Sequence, residues 1–334
     1  MNSFERYMGV LKGQKVDVLP RLPILMAYAA KFIGSNYGAF ASDYRVLVKS
    51  NRECAEHFGF DQVSTISDPF RETQGFGAKI KYVTDGVPRC PHAPLQDAKD
   101  LALLKKPDPH KSARMLDRVR AVEAYRKFAF HKYSILGWVE GPAAEMSTLR
   151  TPGNFLMDLM DEPGYCCTLM DICVEAGIAF AAAQLEAGAD TIGIGDAIAS
   201  QVSPQLYEKL IWPREKRLVD GIHARGGIVR LHICGRINHL LPGIAKLGCE
   251  IVDLDWQVDI AAARKILPAR TALVGNLNPV ADVQDSTPAK IKAAVRRIYK
   301  TVGNPYMAGA GCEIPVNTPK ANLKALCAAV GCGA

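Results

Sequence analysis

Apolar and polar positions along the chain follow two alternating patterns. Eight short runs rich in β-branched and aliphatic residues, at 22–26, 62–66, 133–138, 191–194, 228–231, 251–254, 272–274 and 306–308, read as strands. Between the later runs, apolar residues recur at helical spacing over 203–225, 238–247, 260–266, 288–301 and 319–330. Several of these segments open on Ser-Pro, Thr-Pro or Asp, signals that start a helix. Eight strands alternating with helices predict an α/β fold of the (β/α)8 TIM-barrel type, and no run leads into the G-x-G-x-x-G turn of a doubly wound sheet.

Residues 69–132 are too long for a simple crossover and read as an insertion after the second strand. It would hold a hairpin near 78–83, a proline-rich stretch with Pro88, Pro91 and Pro94, and a basic helix over 111–127. With no internal repeat and no linker, residues 1–334 read as one domain.

Composition narrows the class. At 334 residues, 49% hydrophobic and 22% charged, the chain can bury a large core, which excludes a disordered or fibrous protein. No apolar run of the roughly 18–20 residues that span a bilayer is apparent, and residues 1–12 lack the features of a secretory signal, so a cytoplasmic location is expected. The net charge of +7 is scattered, without aromatic residues interleaved for stacking, and nucleic acid is not an expected partner. The ten cysteines are too irregularly spaced for a disulfide framework and are expected to be reduced. Cys166, Cys167, Cys173, Cys327 and Cys332, with Met157, Met160 and Met170, read as packing residues.

A barrel of this kind carries its chemistry in the loops after its strands. Those loops hold Asp68, Glu140, Asp196, His232 with Cys234, Asp255 with Trp256, Asn276 and Cys312. In His232-Ile233-Cys234-Gly235, residues i and i+2 of an extended segment point the same way and offer an imidazole nitrogen and a thiolate to one ion. Cys312 lies in a glycine-rich turn, where the backbone can approach a site closely, and could supply a third soft ligand. On these residues alone, a metal site and a packed histidine beside two inert thiols both stay open.

Here the sequence resembles the uroporphyrinogen decarboxylase superfamily, and within it the methylcobamide:thiol (coenzyme M type) methyltransferases. The likeness runs through Val139-Glu140-Gly141-Pro142, Gly188-Ala189-Asp190 to Asp196, Ser203-Pro204, Leu254-Asp255-Trp256, Gly275-Asn276-Leu277-Asn278-Pro279, and Thr318-Pro319 to Asn322. His232, Cys234 and Cys312, with 77 residues between the cysteines, match that branch's metal motif. The decarboxylases instead carry an Arg-Gln-Ala-Gly-Arg stretch that grips carboxylates. The equivalent residues 20–31 hold only Arg21, although Asp68 in Ser67-Asp68-Pro69 resembles the decarboxylase aspartate.

The resemblance implies a methyltransferase working between a methylated corrinoid and a small thiol. Zinc suits a set of two thiolates and an imidazole, and His232, Cys234 and Cys312 would hold it. Glu140 and Asp196 are the catalytic candidates. Glu140 either occupies the fourth metal position before substrate arrives or forms hydrogen bonds at the rim, and Asp196 and Asp255 support the site rather than ligate. Asp68, Trp256 and Asn276 are candidates for cofactor contact. A separate corrinoid protein is the expected partner, because the nearest approach to Asp-x-His-x-x-Gly, residues 220–226, has one residue too many between Asp220 and His223. Coenzyme M as acceptor would need a cation for its sulfonate, from Arg21, Arg71 or Arg150. The alternatives are a donor-side enzyme that demethylates a small methylated or methoxylated compound, a metal-free decarboxylase-type lyase, and a non-catalytic binding protein for a corrinoid or tetrapyrrole.

Overall fold

The computed structural model describes residues 1–328, 330 and 331. Its strands are β1 (Gln62–Ser64), β2 (Lys81–Val83), β3 (Gly86–Arg89), β4 (Ser134–Glu140), β5 (Thr191–Gly195), β6 (Ile228–His232), β7 (Ile251–Leu254), β8 (Ala272–Leu277) and β9 (Tyr306–Ala310). Seven of them form one sheet in the order β1-β4-β5-β6-β7-β8-β9, and every pair within it is parallel. Each strand pairs with the next after a helical crossover, so the sheet advances in one direction and curls into a TIM-barrel-like α/β fold. All seven residues of β4 and all five of β5 are buried, as expected of strands covered by helices outside and side chains inside.

The first expected strand, 22–26, is not one. The residue before it, Arg21, makes an isolated parallel bridge to Ala308. Leu22 donates to the Ala308 carbonyl at 2.8 Å, Ala308 to that of Pro20 at 2.7 Å, and Asp61 to that of Arg21 at 2.9 Å, so this segment sits between β9 and the approach to β1. Pro20 and Pro23 lack the N–H groups that a longer ladder requires.

Residues 69–132 divide differently from the sequence reading. Helix Ala113–Ala129 is the crossover helix itself, packed on β4 and on helices Tyr44–Phe58 and Pro163–Ala187. The excursion comprises the short helix Arg71–Gly75, the β2–β3 hairpin and the loop up to residue 112. The expected helix 203–225 is interrupted by a π-helical segment, Tyr207–Ile211. The one over 238–247 shrinks to Leu241–Ile244, and that over 319–330 to Lys320–Leu326, with Ala329 outside the described residues.

Helix Pro163–Ala187 corrects the reading that no segment has spanning length, since its 25 residues suffice by length and composition to cross a membrane. It packs against β4 and four neighbouring helices, and Arg214 and Arg217 pair with its Asp171. Met170 on this helix is buried, whereas Met157 and Met160 are exposed rather than packed.

Period-two alternation decides what faces the barrel interior. From β4, Trp138 and Glu140 face the space at the C-terminal mouth, as does His232 of β6, which is in register with Asp253 of β7, while Arg230 on the same face of β6 lies deeper, bound to Asp253 and Gln62. Gly193 of β5 yields its place to the Trp138 indole, since a Cβ there would lie 2.2 Å from the ring.

Candidate active site and metal centre

Two segments at the mouth, after β6 and after β9, bring the expected metal ligands together. His232 ends β6, Cys234 follows it by two residues, and Cys312 follows β9. The His232 Nε2, Cys234 Sγ and Cys312 Sγ atoms lie within 4.8 Å of one another. Their separations are 3.0 Å (His232 to Cys234), 3.8 Å (His232 to Cys312) and 3.6 Å between the sulfurs. A tetrahedral zinc with bonds of about 2.0–2.1 Å to nitrogen and about 2.3 Å to sulfur spans roughly 3.5–3.8 Å between ligand atoms; both Cys312 separations match this, and His232 and Cys234, hydrogen-bonded at 3.0 Å, would part by about 0.5 Å to admit the ion.

The imidazole is aimed from behind. Asp253 accepts from His232 Nδ1 at 2.9 Å, which turns Nε2 toward the two sulfurs. Arg230 holds Asp253 from the other side at 2.8 and 3.1 Å, and donates to Gln62 Oε1 at 2.5 Å. Burial alone would lower the His232 pKa, but the Cys234 sulfur and Asp253 outweigh it and raise it. Hydrogen bonds from Cys234 and His232 pull the Cys312 thiol down to about 4 against the effect of burial. The shared protons are those that a divalent cation would displace.

These ligands open into a cavity of about 270 Å³, whose wall includes Ile24, Met26, Ile66, Trp138 and Ala197. Trp138 lies against His232, with ring centroids 5.9 Å apart. Glu140 lines the same space with its carboxylate bound by Arg71. Burial raises Glu140 to about 8 because Glu72 and Asp196 oppose the pull of Arg71.

Other expected site residues take different places. Asp196 is fully buried, accepts from the amides of Ala144 (2.6 Å) and Ala143 (3.4 Å), and shares a hydrogen bond with Glu215, so it fixes the start of helix Pro142–Arg150 rather than meeting the cavity. The Asn276 amide donates to the carbonyls of Asp255 (3.3 Å) and Val258 (2.8 Å) and ties down the loop after β7. Trp256 in that loop is half exposed. Asp68 lines the cavity and is gripped by Arg114 through two 2.6 Å hydrogen bonds.

Of the three candidate cations, Arg21 is bound to Asp61 at the opposite end of the barrel, and Arg150 to Asp158 and the carbonyl of Ala98. Only Arg71 reaches the cavity. Sequence reasoning missed Arg230, Asp253 and Trp138. The signal for facing was present for two of them, because Trp138 stands two residues before Glu140 and Arg230 two before His232, although what Arg230 does there depends on its neighbour in β7. Cys54, Cys166, Cys173, Cys249 and Cys327 are buried and their thiols are pushed up by burial, whereas Cys332 lies outside the described residues.

The Asp68–Arg114 pair carries a stability prediction. Burial would raise Asp68, but Arg114 holds it at about 2 against an ordinary 3.8, so its stabilisation is present above pH 3.8 and is lost as pH falls toward 2. In Arg114→Leu, the buried carboxylate loses its partner, at a cost of about 3–5 kcal/mol at neutral pH. Urea unfolding of variant and wild type is expected to show this gap at pH 7 and a smaller one at pH 3. An equal gap at both would remove the charge pair as its cause.

Comparison with known proteins agrees with this geometry. The chain is 28% identical over 329 residues, covering 96% of it and 95% of the relative, to methylcobamide:CoM methyltransferase MtbA of Methanosarcina mazei. It is also 28% identical over 341 residues, 95% of each chain, to uroporphyrinogen decarboxylase of Chlorobium phaeovibrioides. The fold superposes on a solved methyltransferase from Methanosarcina mazei with a TM-score of 0.89 at 24% identity, over 98% of this chain and 97% of the other. The uroporphyrinogen decarboxylase (URO-D) family matches residues 2–331, and the chain belongs to that family.

Proposed function

We propose that this protein is a zinc-dependent methyltransferase that moves a methyl group between a protein-bound methylcobamide and a small thiol. The observation that carries the reading is the His232, Cys234 and Cys312 set, opening at the barrel mouth into a cavity large enough for a small thiol. His232, Cys234 and Cys312 would hold the ion and would leave room beside it for a substrate sulfur. The similarity to a named methylcobamide:CoM methyltransferase supports the same chemistry. Zinc, when bound, would supply the Lewis acidity that keeps an incoming thiol in its thiolate form.

The chain's own residues do the rest. Asp253 and Arg230 hold His232 in place, and Trp138 closes the floor of the cavity. Glu140 takes up the proton that the thiol gives up, since burial places its ionisation near neutrality. In the transfer, the sulfur lone pair forms the C–S bond, the Co–C bond breaks, and its electron pair stays on cobalt as cobalt(I). Trp256, Val280 and Val316, exposed in the loops after β7, β8 and β9, give the corrinoid carrier an apolar rim to sit against.

The test is demethylation of methylcobalamin by zinc-loaded protein with a small thiol, followed by absorbance and by mass detection of the thioether. Cobalamin that stays methylated with every thiol, while zinc is bound, rejects the reading. Glu140→Gln is expected to slow the reaction about 100-fold and to flatten the rise in rate through pH 8 that the wild type shows, because only ionised Glu140 accepts the proton. An unchanged pH profile would take Glu140 out of the proton path.

A further inference from the structure

We propose that Gln62 is a positioning residue for the metal centre: through Arg230 and Asp253 it ties the His232 imidazole to a buried polar column at the opposite end of the barrel. This rests on the metal-binding part of the reading above and adds to it the residues that hold the ligand from a distance.

The interior of such a barrel is ordinarily filled by branched apolar side chains. Here the first residues of three adjacent strands, Gln62 of β1, Ser134 of β4 and Thr191 of β5, are polar and buried. One run of hydrogen bonds joins them. The Tyr7 and Thr191 hydroxyls meet at 2.7 Å, and Thr191 and Ser134 each donate to Asp190 Oδ1 at 2.7 Å. Gln62 Nε2 donates to Ser134 Oγ at 2.9 Å, and Arg230 Nη1 to Gln62 Oε1 at 2.5 Å. From Arg230 the run passes through Asp253 to His232 Nδ1.

Donor chemistry fixes the direction of each link. Asp190 accepts the two hydroxyls on one oxygen and the Ile135 amide on the other. Ser134, its proton given to Asp190, can only accept, so the Gln62 amide must turn its NH2 that way. A guanidinium can only donate, so the Gln62 carbonyl must face Arg230. Both neighbours therefore demand the same amide orientation, and the paired register of Gln62 and Ser134 holds it. Besides Asp253, Gln62 is the one side chain that holds Arg230 among the described residues, because Nη2 is buried without a partner. Without Gln62, the planar guanidinium keeps a single anchor and can turn together with the Asp253 carboxylate, taking the His232 ring with it.

Gln62→Met keeps the side-chain length and removes both hydrogen bonds, and two measurements follow its effect. In metal-free protein labelled with 15N-histidine, the His232 Nδ1 proton, assigned by its absence in His232→Ala, is expected to exchange with solvent about tenfold faster than in the wild type. In competition with a chromogenic chelator, the zinc dissociation constant is expected to rise about five- to tenfold, at or below the low end of what loss of a group bonded directly to a ligand costs. Ser134→Ala alone should raise it about threefold, and should add nothing in the Gln62→Met background, because Ser134 acts through Gln62. Where the wild type binds zinc, an affinity unchanged in Gln62→Met overturns the proposal, even with lower stability in urea, and makes Gln62 a residue of the core alone. Unchanged proton exchange overturns it too, as do additive losses in the double variant. A wild type that binds no zinc, with faster exchange in Gln62→Met, upholds the positioning of His232 and rejects the metal site.

Discussion

Cys312→Ala is expected to leave the purified protein with less than about a tenth of the zinc bound by the wild type, which should hold about one ion per chain. Thiol-dependent demethylation should fall by at least about 1000-fold. The loss follows from the geometry: Cys312 alone bridges from the β9 side of the mouth to the His232–Cys234 pair on the β6 side. Two ligands on one strand end cannot hold the ion against competing chelators. Cys234→Ala and His232→Ala should behave alike. The barrel's backbone pairing makes no use of these side chains, so the thermal midpoint of each variant should stay within a few degrees of wild type. Metal analysis by atomic emission, with circular dichroism as the fold check, decides the matter. Full metal content in Cys312→Ala would sink the assignment of that residue, and collapse of the fold along with the metal would make the ion structural rather than catalytic.

The second large effect belongs to a residue that touches neither metal nor substrate. Asp253→Asn is expected to weaken zinc binding by about 10- to 100-fold, because the neutral amide no longer orients the His232 ring or raises its basicity. The same change leaves Arg230 without its carboxylate inside the barrel, where an unpaired charge costs about 3–5 kcal/mol. Competition with a chromogenic chelator reads the first effect and urea unfolding the second. Arg230→Met in the Asp253→Asn background should restore most of the stability while leaving the metal affinity low. Recovery of both together would show that Asp253 acts only through the fold.

The barrel was legible in the sequence because strands buried on both faces must be apolar, and seven of the eight expected runs form the sheet. The eighth failed for a local reason: Pro20 and Pro23 flank the one residue that bridges, and apolar character cannot reveal a missing N–H. The metal candidates were legible because His232 and Cys234 are neighbours in sequence and a thiolate has few other uses at a strand end. Asp253 and Arg230 were hidden because their roles depend on which residue of β7 stands beside which residue of β6, and register is set by tertiary packing. The supporting role expected of Asp196 takes a form that the sequence hides for a related reason. Its position after β5 marks it as a rim residue, but the side chain turns back onto the amides of Ala143 and Ala144.

The indole of Trp138, laid over Gly193 with the Arg230–Asp253–Gln62 group packed beneath, closes the barrel interior below the metal ligands. The lining residues Ile24, Pro69 and Glu313 leave this cavity opening at the mouth side. On the function proposed above, a corrinoid carrier seated on the rim at Trp256 would cover that opening, so the thiol would enter before the carrier docks and the methylated product would leave after it departs. Two substrates of very different size would then follow a fixed sequence, with the smaller first in and last out.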